Sequence, residues 1–166
     1  MKYYIGIDIG LAGGIVVLDP TGTIVDSHVM PVDKAGIEIL TLDSIISFFA
    51  NKPIMLVFEK LGPIFGTSKK TTWSMGYQVG VIKTICTMRN LAYTEVQAKV
   101  WQKEMFQGIT AIHKPGKSSL DTKAMALEAM KRIYPGWDFK QGKSKKDHDG
   151  CVDALLLATY GKRKNL

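Results

Sequence analysis

The stretch YYIGIDIGLAGGIVVLD, residues 3–19, decides how the rest of the chain is read. Two apolar runs of strand length, 3–9 and 13–18, flank a turn containing Gly10, Gly13 and Gly14. Asp8 interrupts the first run near its end, where a carboxylate is either a tolerated turn acid or a group kept for chemistry. TGT at 21–23 supplies a second turn, and TIVDSHVM at 23–30 a third alternating strand. The opening therefore predicts an antiparallel three-stranded meander.

Further along, residues 43–50 carry Ile45, Ile46, Phe48 and Phe49 and predict a short helix stopped before Pro53. PIMLVFEK, 53–60, is a continuous apolar run that suits a central strand buried on both faces. After a loop with Gly62, Pro63 and Gly66, the pattern from Thr71 to Arg89 is helical, Gly76 and Gly80 allowing close packing. Trp73 and Trp101 read as core residues of helical segments. AYTEVQ predicts a fifth strand and AKVWQKEMF a short helix. DTKAMALEAMKRIYP is a helix opened by an aspartate cap and stopped at Pro135. HDGCVDALLLATYGKR closes the chain as a helix with acid in its first turns and base in its last. The order β-β-β-α-β-α-β-α-α-α implies an α/β fold: a mixed five-stranded sheet, three antiparallel strands leading into βα units, with helices on its faces. Residues 1–166 are expected to form a single domain.

Composition narrows the function. The sequence is 46% apolar and 22% charged, the balance of a globular protein with one continuous core. No run approaches the ~18 apolar residues of a membrane span, and no secretory signal pattern opens the chain. The two cysteines, Cys86 and Cys151, lie in apolar helical contexts without C-x-x-C or Cys/His spacing, which argues against structural zinc and for a cytoplasmic setting. The formal charge of +7 points to a polyanionic partner, since neutralising phosphates releases condensed counterions. The bases are clustered: Lys140, Lys143, Lys145 and Lys146 precede DHDGCVD, while Lys114, Lys117 and Lys123 flank another loop.

Acids at three places in the chain stand against their local pattern. Besides Asp8, Glu59 ends the apolar run IMLVFE, where a charge is costly unless compensated. Asp149 and Asp153, four apart at the start of the last helix, share one helical face that enters the core at ALLLA. If the first and fourth strands are neighbours, Asp8 and Glu59 emerge at one sheet edge, and a helix over that edge completes a nest of carboxylates. Carboxylates that close raise each other's pKa, and an all-oxygen donor set selects Mg²⁺ or Mn²⁺. Two such ions about 4 Å apart are suited to phosphodiester hydrolysis. His148 reads as a second-shell or plain surface group, and Asp147 as the helix cap, a solvent neighbour or a substitute for Asp149.

GIDIGLAGGIVVLD, VFEK and HDGCVDALLLATYGKR, in order and at fitting spacings, resemble the RuvC-type Holliday-junction resolvases of the RNase H-like nuclease superfamily, most of all the compact phage-type members. The resemblance covers nearly the whole chain, with the closing acid-rich helix its most specific part. It implies a homodimer that binds four-way or other branched DNA and makes paired nicks with Mg²⁺ or Mn²⁺, leaving 5′-phosphate ends, in a bacterial cell or a phage-infected host. Carried over by position, Asp8, Glu59 and Asp153 would be metal ligands and Asp149 the fourth. In many cellular members the last two ligands stand one residue closer, a position occupied here by Gly150, so Asp149, His148 and Asp147 remain alternatives. Lys117 and Lys123 lie where the family contacts backbone phosphates; Lys114, Lys143, Lys145 and Lys146 are further DNA-binding candidates. Phe65, in GPIFG, is further from Glu59 than the family's stacking aromatic, and is either a wedge residue or a buried loop anchor.

Other functions fit less well. An actin-like ATPase or sugar kinase shares the first strand but needs a second such subdomain and phosphate loop, so no nucleotide cofactor is expected. A non-catalytic junction binder would leave the acids repelling phosphates. A nuclease for RNA–DNA hybrids or linear DNA on the same scaffold is the nearest alternative.

Overall fold

A computed structural model describes residues 1–62, 66 and 68–166. Phe65 lies outside the described residues. In chain order the elements are β1 (Tyr3–Asp8), β2 (Gly14–Leu18), β3 (Ile24–Val29), α1 (Ile39–Ser47), β4 (Ile54–Glu59), α2 (Lys69–Met88), β5 (Ala92–Val96), α3 (Ala98–Met105), α4 (Thr122–Ile133) and α5 (Asp149–Lys164). The order expected from the sequence is the order found.

The five strands form one sheet, β3-β2-β1-β4-β5. β1 pairs antiparallel with β2, and β2 with β3; β4 runs parallel to β1, and β5 parallel to β4. The apolar runs are continuous because both faces of the central strands are covered. Tyr4, Val16, Leu18 and Val57 pack with α3, α4 and α5 on one face. Ile5, Ile7, Ile15, Val17, Leu56 and Phe58 pack with Leu42 and Ile46 of α1 and Val81, Ile82, Ile85 and Cys86 of α2 on the other. Side-chain alternation along each strand thus assigns one set of residues to each layer.

α5 crosses the sheet at backbone contact distance. A Cβ on Gly6 would lie 1.9 Å from the Ala154 carbonyl oxygen, so only glycine lets β1 and α5 meet there. The same holds at the helix N-terminus: a Cβ on Gly150 would lie 2.5 Å from the Ala12 oxygen, and one on Gly14 2.7 Å from the Cys151 nitrogen. Gly13 and Gly14 therefore seat α5.

The structure corrects four local expectations. α1 begins at Ile39, four residues before the expected start, because Glu38 opens it through its carbonyl, accepting the Leu42 N–H at 3.0 Å, with no side-chain cap to mark the boundary. Trp73 is 79% exposed, unlike Trp101, which is buried as expected. Gly76 and Gly80 meet no neighbour within 4 Å, so they are not packing notches. The α5 cap is His148, whose Nδ1 accepts the Cys151 N–H at 3.3 Å; Asp147 instead accepts the Phe139 N–H at 2.6 Å within the preceding loop. Among the described residues, no helix is long and apolar enough to cross a membrane.

Candidate active site

Strand register brings the first two acids together. Ile7 of β1 faces Phe58 of the parallel β4, so the next residues, Asp8 and Glu59, leave the sheet side by side at its C-terminal edge. Open α/β sheets present their ligand crevices at that edge. α5 begins there as well, held by a bridge between Gly13 and Gly150, which brings Asp149 and Asp153 over the same edge.

Electrostatics shows how closely these groups act on one another. Burial, then repulsion from Glu59 and Asp149, pushes the Asp8 carboxyl up from 3.8 to about 6, against a smaller lowering by the Lys123 ammonium. Burial, then repulsion from Asp8, Glu59 and Asp149, pushes Asp153 up from 3.8 to about 7. Burial also raises Glu59, partly offset by a hydrogen bond that the Trp101 indole Nε1–H donates to Oε2 at 3.3 Å. Trp101 thus anchors the third acid from the layer beneath it.

The more exposed Asp149 is engaged differently. Lys123, in the first turn of α4, reaches across and donates to its Oδ2 at 2.6 Å. Lys123 is also the one cation, among the described residues, that acts on both Asp8 and Asp153. Lys123, expected to contact a backbone phosphate, has its ammonium at the rim of the acid cluster. Nothing local in TKAMAL marks that position, which depends on α4 and α5 meeting at their N-termini.

The donors suit a hard divalent cation: several carboxylates, partly buried, repelling one another, with a single ammonium to offset them. As the side chains stand, however, no three His, Cys, Asp or Glu groups among the described residues are set around a common point to hold an ion. The cluster provides charge and oxygen ligands without a closed cage. His148 caps α5 through Nδ1, and Asp147 holds the preceding loop through its bond from Phe139.

The remaining basic candidates lie on two loops. Lys114 and Lys117 are exposed on a tight turn in which the Lys117 N–H donates to the Lys114 carbonyl at 3.0 Å, just before α4. Lys143, Lys145 and Lys146 are exposed on the loop leading into α5. Both basic loops lead into helices whose N-termini meet at the Lys123–Asp149 pair. Cys86 and Cys151 are buried free thiols with pKa pushed up to about 11, Cys86 by burial and Cys151 by burial and then by repulsion from Asp8.

No family model matches the sequence, and no curated protein sequence matches it. Among solved structures, T. thermophilus RuvC in complex with Holliday junction substrate aligns with a TM-score of 0.65 at 12% identity, over 98% of this chain and 96% of that one. A second Thermus thermophilus RuvC structure aligns with a TM-score of 0.62 at 11% identity over the same shares. The chain therefore has the RuvC fold, the RNase H-like mixed sheet flanked by helices that its sequence led us to expect.

Proposed function

We propose that this protein is a metal-dependent, structure-selective DNA endonuclease that resolves four-way or branched junctions. The observation that carries the reading is the gathering of Asp8, Glu59 and Asp153 from three separate elements at one edge of a RuvC-type sheet, with their pKa values raised by burial and mutual repulsion. Cells of acid this costly are expected where chemistry needs them. The neighbour whose fold it shares is described with a Holliday junction substrate, which favours branched DNA over other nucleic acids.

Mg²⁺ or Mn²⁺, two ions per site, would supply activation of water and stabilisation of the leaving oxygen. Asp8, Glu59 and Asp153 would hold them, with Asp149 completing the set once Lys123 releases it. Water oxygen bonds to phosphorus in line, the P–O3′ bond breaks, and the 3′ oxygen leaves as a hydroxyl, so the other end carries the 5′-phosphate. Lys123, freed from Asp149, and the exposed lysines at 114, 117, 143, 145 and 146 hold backbone phosphates without reading bases.

Paired nicks need paired sites, and we propose a homodimer. Its support is the outer groove between α1 and the C-terminal half of α2, where Ile39, Leu40 and Met88 are exposed beside Val81 and Ile85. The bidentate Arg89–Asp43 pair and Tyr77 also line that groove.

The test is cleavage of a mobile four-way junction, a linear duplex and an RNA–DNA hybrid by wild type, Asp8→Asn and Glu59→Gln, with and without Mg²⁺. The expected result is Mg²⁺-dependent paired nicking of the junction, lost in both variants. Cleavage confined to the hybrid would overturn the substrate, and undiminished cleavage by either variant would overturn the site.

A further inference from the structure

The segments that precede α4 and α5 share one design. Residues 113–120, HKPGKSSL, fold back through an antiparallel bridge between His113 and Leu120; residues 140–147, KQGKSKKD, do so through one between Lys140 and Asp147. The residue after each hairpin is the N-cap of the next helix, Asp121 for α4 and His148 for α5. Its backbone N–H also ties the base of the hairpin. Asp121 donates to the Ile112 carbonyl at 2.7 Å, and His148 to the Phe139 carbonyl at 3.1 Å.

Both tips are braced. The Lys117 N–H donates to the Lys114 carbonyl at 3.0 Å around Pro115 and Gly116, and the Ser144 N–H to the Gln141 carbonyl at 2.9 Å around Gly142 and Lys143. The two glycines take positive φ, 67° and 55°, as such turns require. The first hairpin adds a bond from the Lys114 N–H to the Ser119 carbonyl at 3.0 Å. In the second, the Ser144 hydroxyl donates to the Lys146 carbonyl at 3.0 Å and accepts the Lys146 N–H at 3.1 Å, while Phe139 anchors the root in the core.

Their charge is one-sided. The one acid in either hairpin, Asp147, accepts the Phe139 N–H at 2.6 Å. Lys114, Lys117, Lys143, Lys145 and Lys146 are exposed and enter no ion pair among the described residues. Ammonium groups on a braced backbone suit phosphates, because less freedom is lost on binding. The spacing selects which phosphates. α4 and α5 pack in one core cluster, so their axes lie about 8–10 Å apart. Each hairpin reaches roughly 10 Å, from three residues a side at about 3.3 Å each. A major groove is about 12 Å wide, so two prongs rooted this closely meet one stretch of backbone and not the backbones of separate arms. At their roots Lys123 and Asp149, in the first turns of the two helices, are joined at 2.6 Å.

We propose that the hairpins 113–120 and 140–147 form a two-pronged clamp on a single DNA strand, holding the phosphates on either side of the one presented to the carboxylates. The clamp rests on the nuclease reading and adds to it a division of labour between the two basic loops: each holds one flank of the same strand. It fixes the strand's position along its own direction without contacting a base.

The experiment uses the full chain. Mg²⁺-dependent nicking by wild type first marks the cut phosphate on a four-way junction of fixed branch point. Uncharged methylphosphonates then replace single phosphates beside the cut, or at matching places on the other strands, and binding is measured in EDTA. Wild type should lose roughly 1.5- to 5-fold in affinity for each flanking phosphate neutralised on the cut strand. Lys114→Gln/Lys117→Gln should be insensitive to neutralisation on one side of the cut, and Lys143→Gln/Lys145→Gln/Lys146→Gln on the other. The slope of log affinity against log salt should fall by about 2 and about 3 in the two variants. Thermal melts check that these exposed substitutions leave the fold intact. Sensitivity lost on two different arms, or retained everywhere in both variants, overturns the clamp and leaves the nuclease reading standing. A wild type that does not nick the junction overturns both.

Discussion

Replacing Asp8 by asparagine is expected to stabilise the metal-free protein at pH 8, about half as much at pH 5, and little below about pH 3. The Asp8 carboxyl titrates near its ordinary 3.8 when the chain is unfolded and at about 6 when folded. Between those values the folded state holds a proton that the unfolded state has lost, so stability falls as pH rises through that window. Above it, the ionised group costs the fold about 3 kcal/mol as a ceiling, from roughly 2 units at about 1.4 kcal/mol each. Partial exposure and the nearby Lys123 ammonium reduce this to about 1–2 kcal/mol. For a chain of this size that corresponds to a rise in Tm of roughly 2–8 °C at pH 8. Asp153, pushed to about 7 with Asp8 among its causes, should titrate at lower pH in the same variant. The assay is thermal unfolding by circular dichroism in EDTA across pH 5–8, repeated with Mg²⁺. Wild type should gain more from Mg²⁺ at pH 8 than at pH 5, and Asp8→Asn should gain little at either. A variant that loses stability at pH 8, or gains equally at both pH values, would show that Asp8 is not held in a repulsive, buried cluster.

Trp101→Phe removes the indole donor that lowers Glu59, so the acidic limb of the cleavage rate should move to higher pH by up to about one unit, which a pH–rate profile would detect. Gly6→Ala should abolish folding, at a cost of more than about 3 kcal/mol, because its Cβ meets the Ala154 carbonyl; Gly76→Ala, in open helix surface, should stabilise by up to about 1 kcal/mol. Urea melts of the two variants compare them directly. Leu40→Glu and Met88→Glu, at 80% and 79% exposed positions, should halve the mass in solution while leaving Tm within a few degrees. Light scattering that finds wild type already monomeric at tens of micromolar, with or without junction DNA, removes the proposed dimer.

Elements whose side chains alternate between two buried layers were legible in the sequence, because burial on both faces leaves the same continuous apolar run wherever it occurs. The acids were legible for the opposite reason: Asp8, Glu59 and Asp153 each break such a run. What escaped was information that no local pattern carries. Trp73 has the size and helical setting of a core residue, but its side of α2 has no layer above it. α1 starts through a backbone carbonyl, leaving no side-chain signal at Glu38. His148 and not Asp147 caps α5, because the loop ahead of α5 folds back and uses Asp147 to tie Phe139. Lys123 joins the acids only through the angle at which α4 meets α5.

The glycine seat beneath α5 has a consequence for how such a site tolerates change. Asp149 and Asp153 are carried on a helix whose distance from β1 and the β1–β2 turn is set by main-chain atoms, at Gly6, Gly14 and Gly150, and not by the bulk of intervening side chains. Substitutions among the apolar residues of either layer can shift other helices without altering the spacing between Asp8 and the α5 acids. The geometry of the acid cluster is in effect insulated from sequence drift elsewhere, in a fold that is shared at 12% identity.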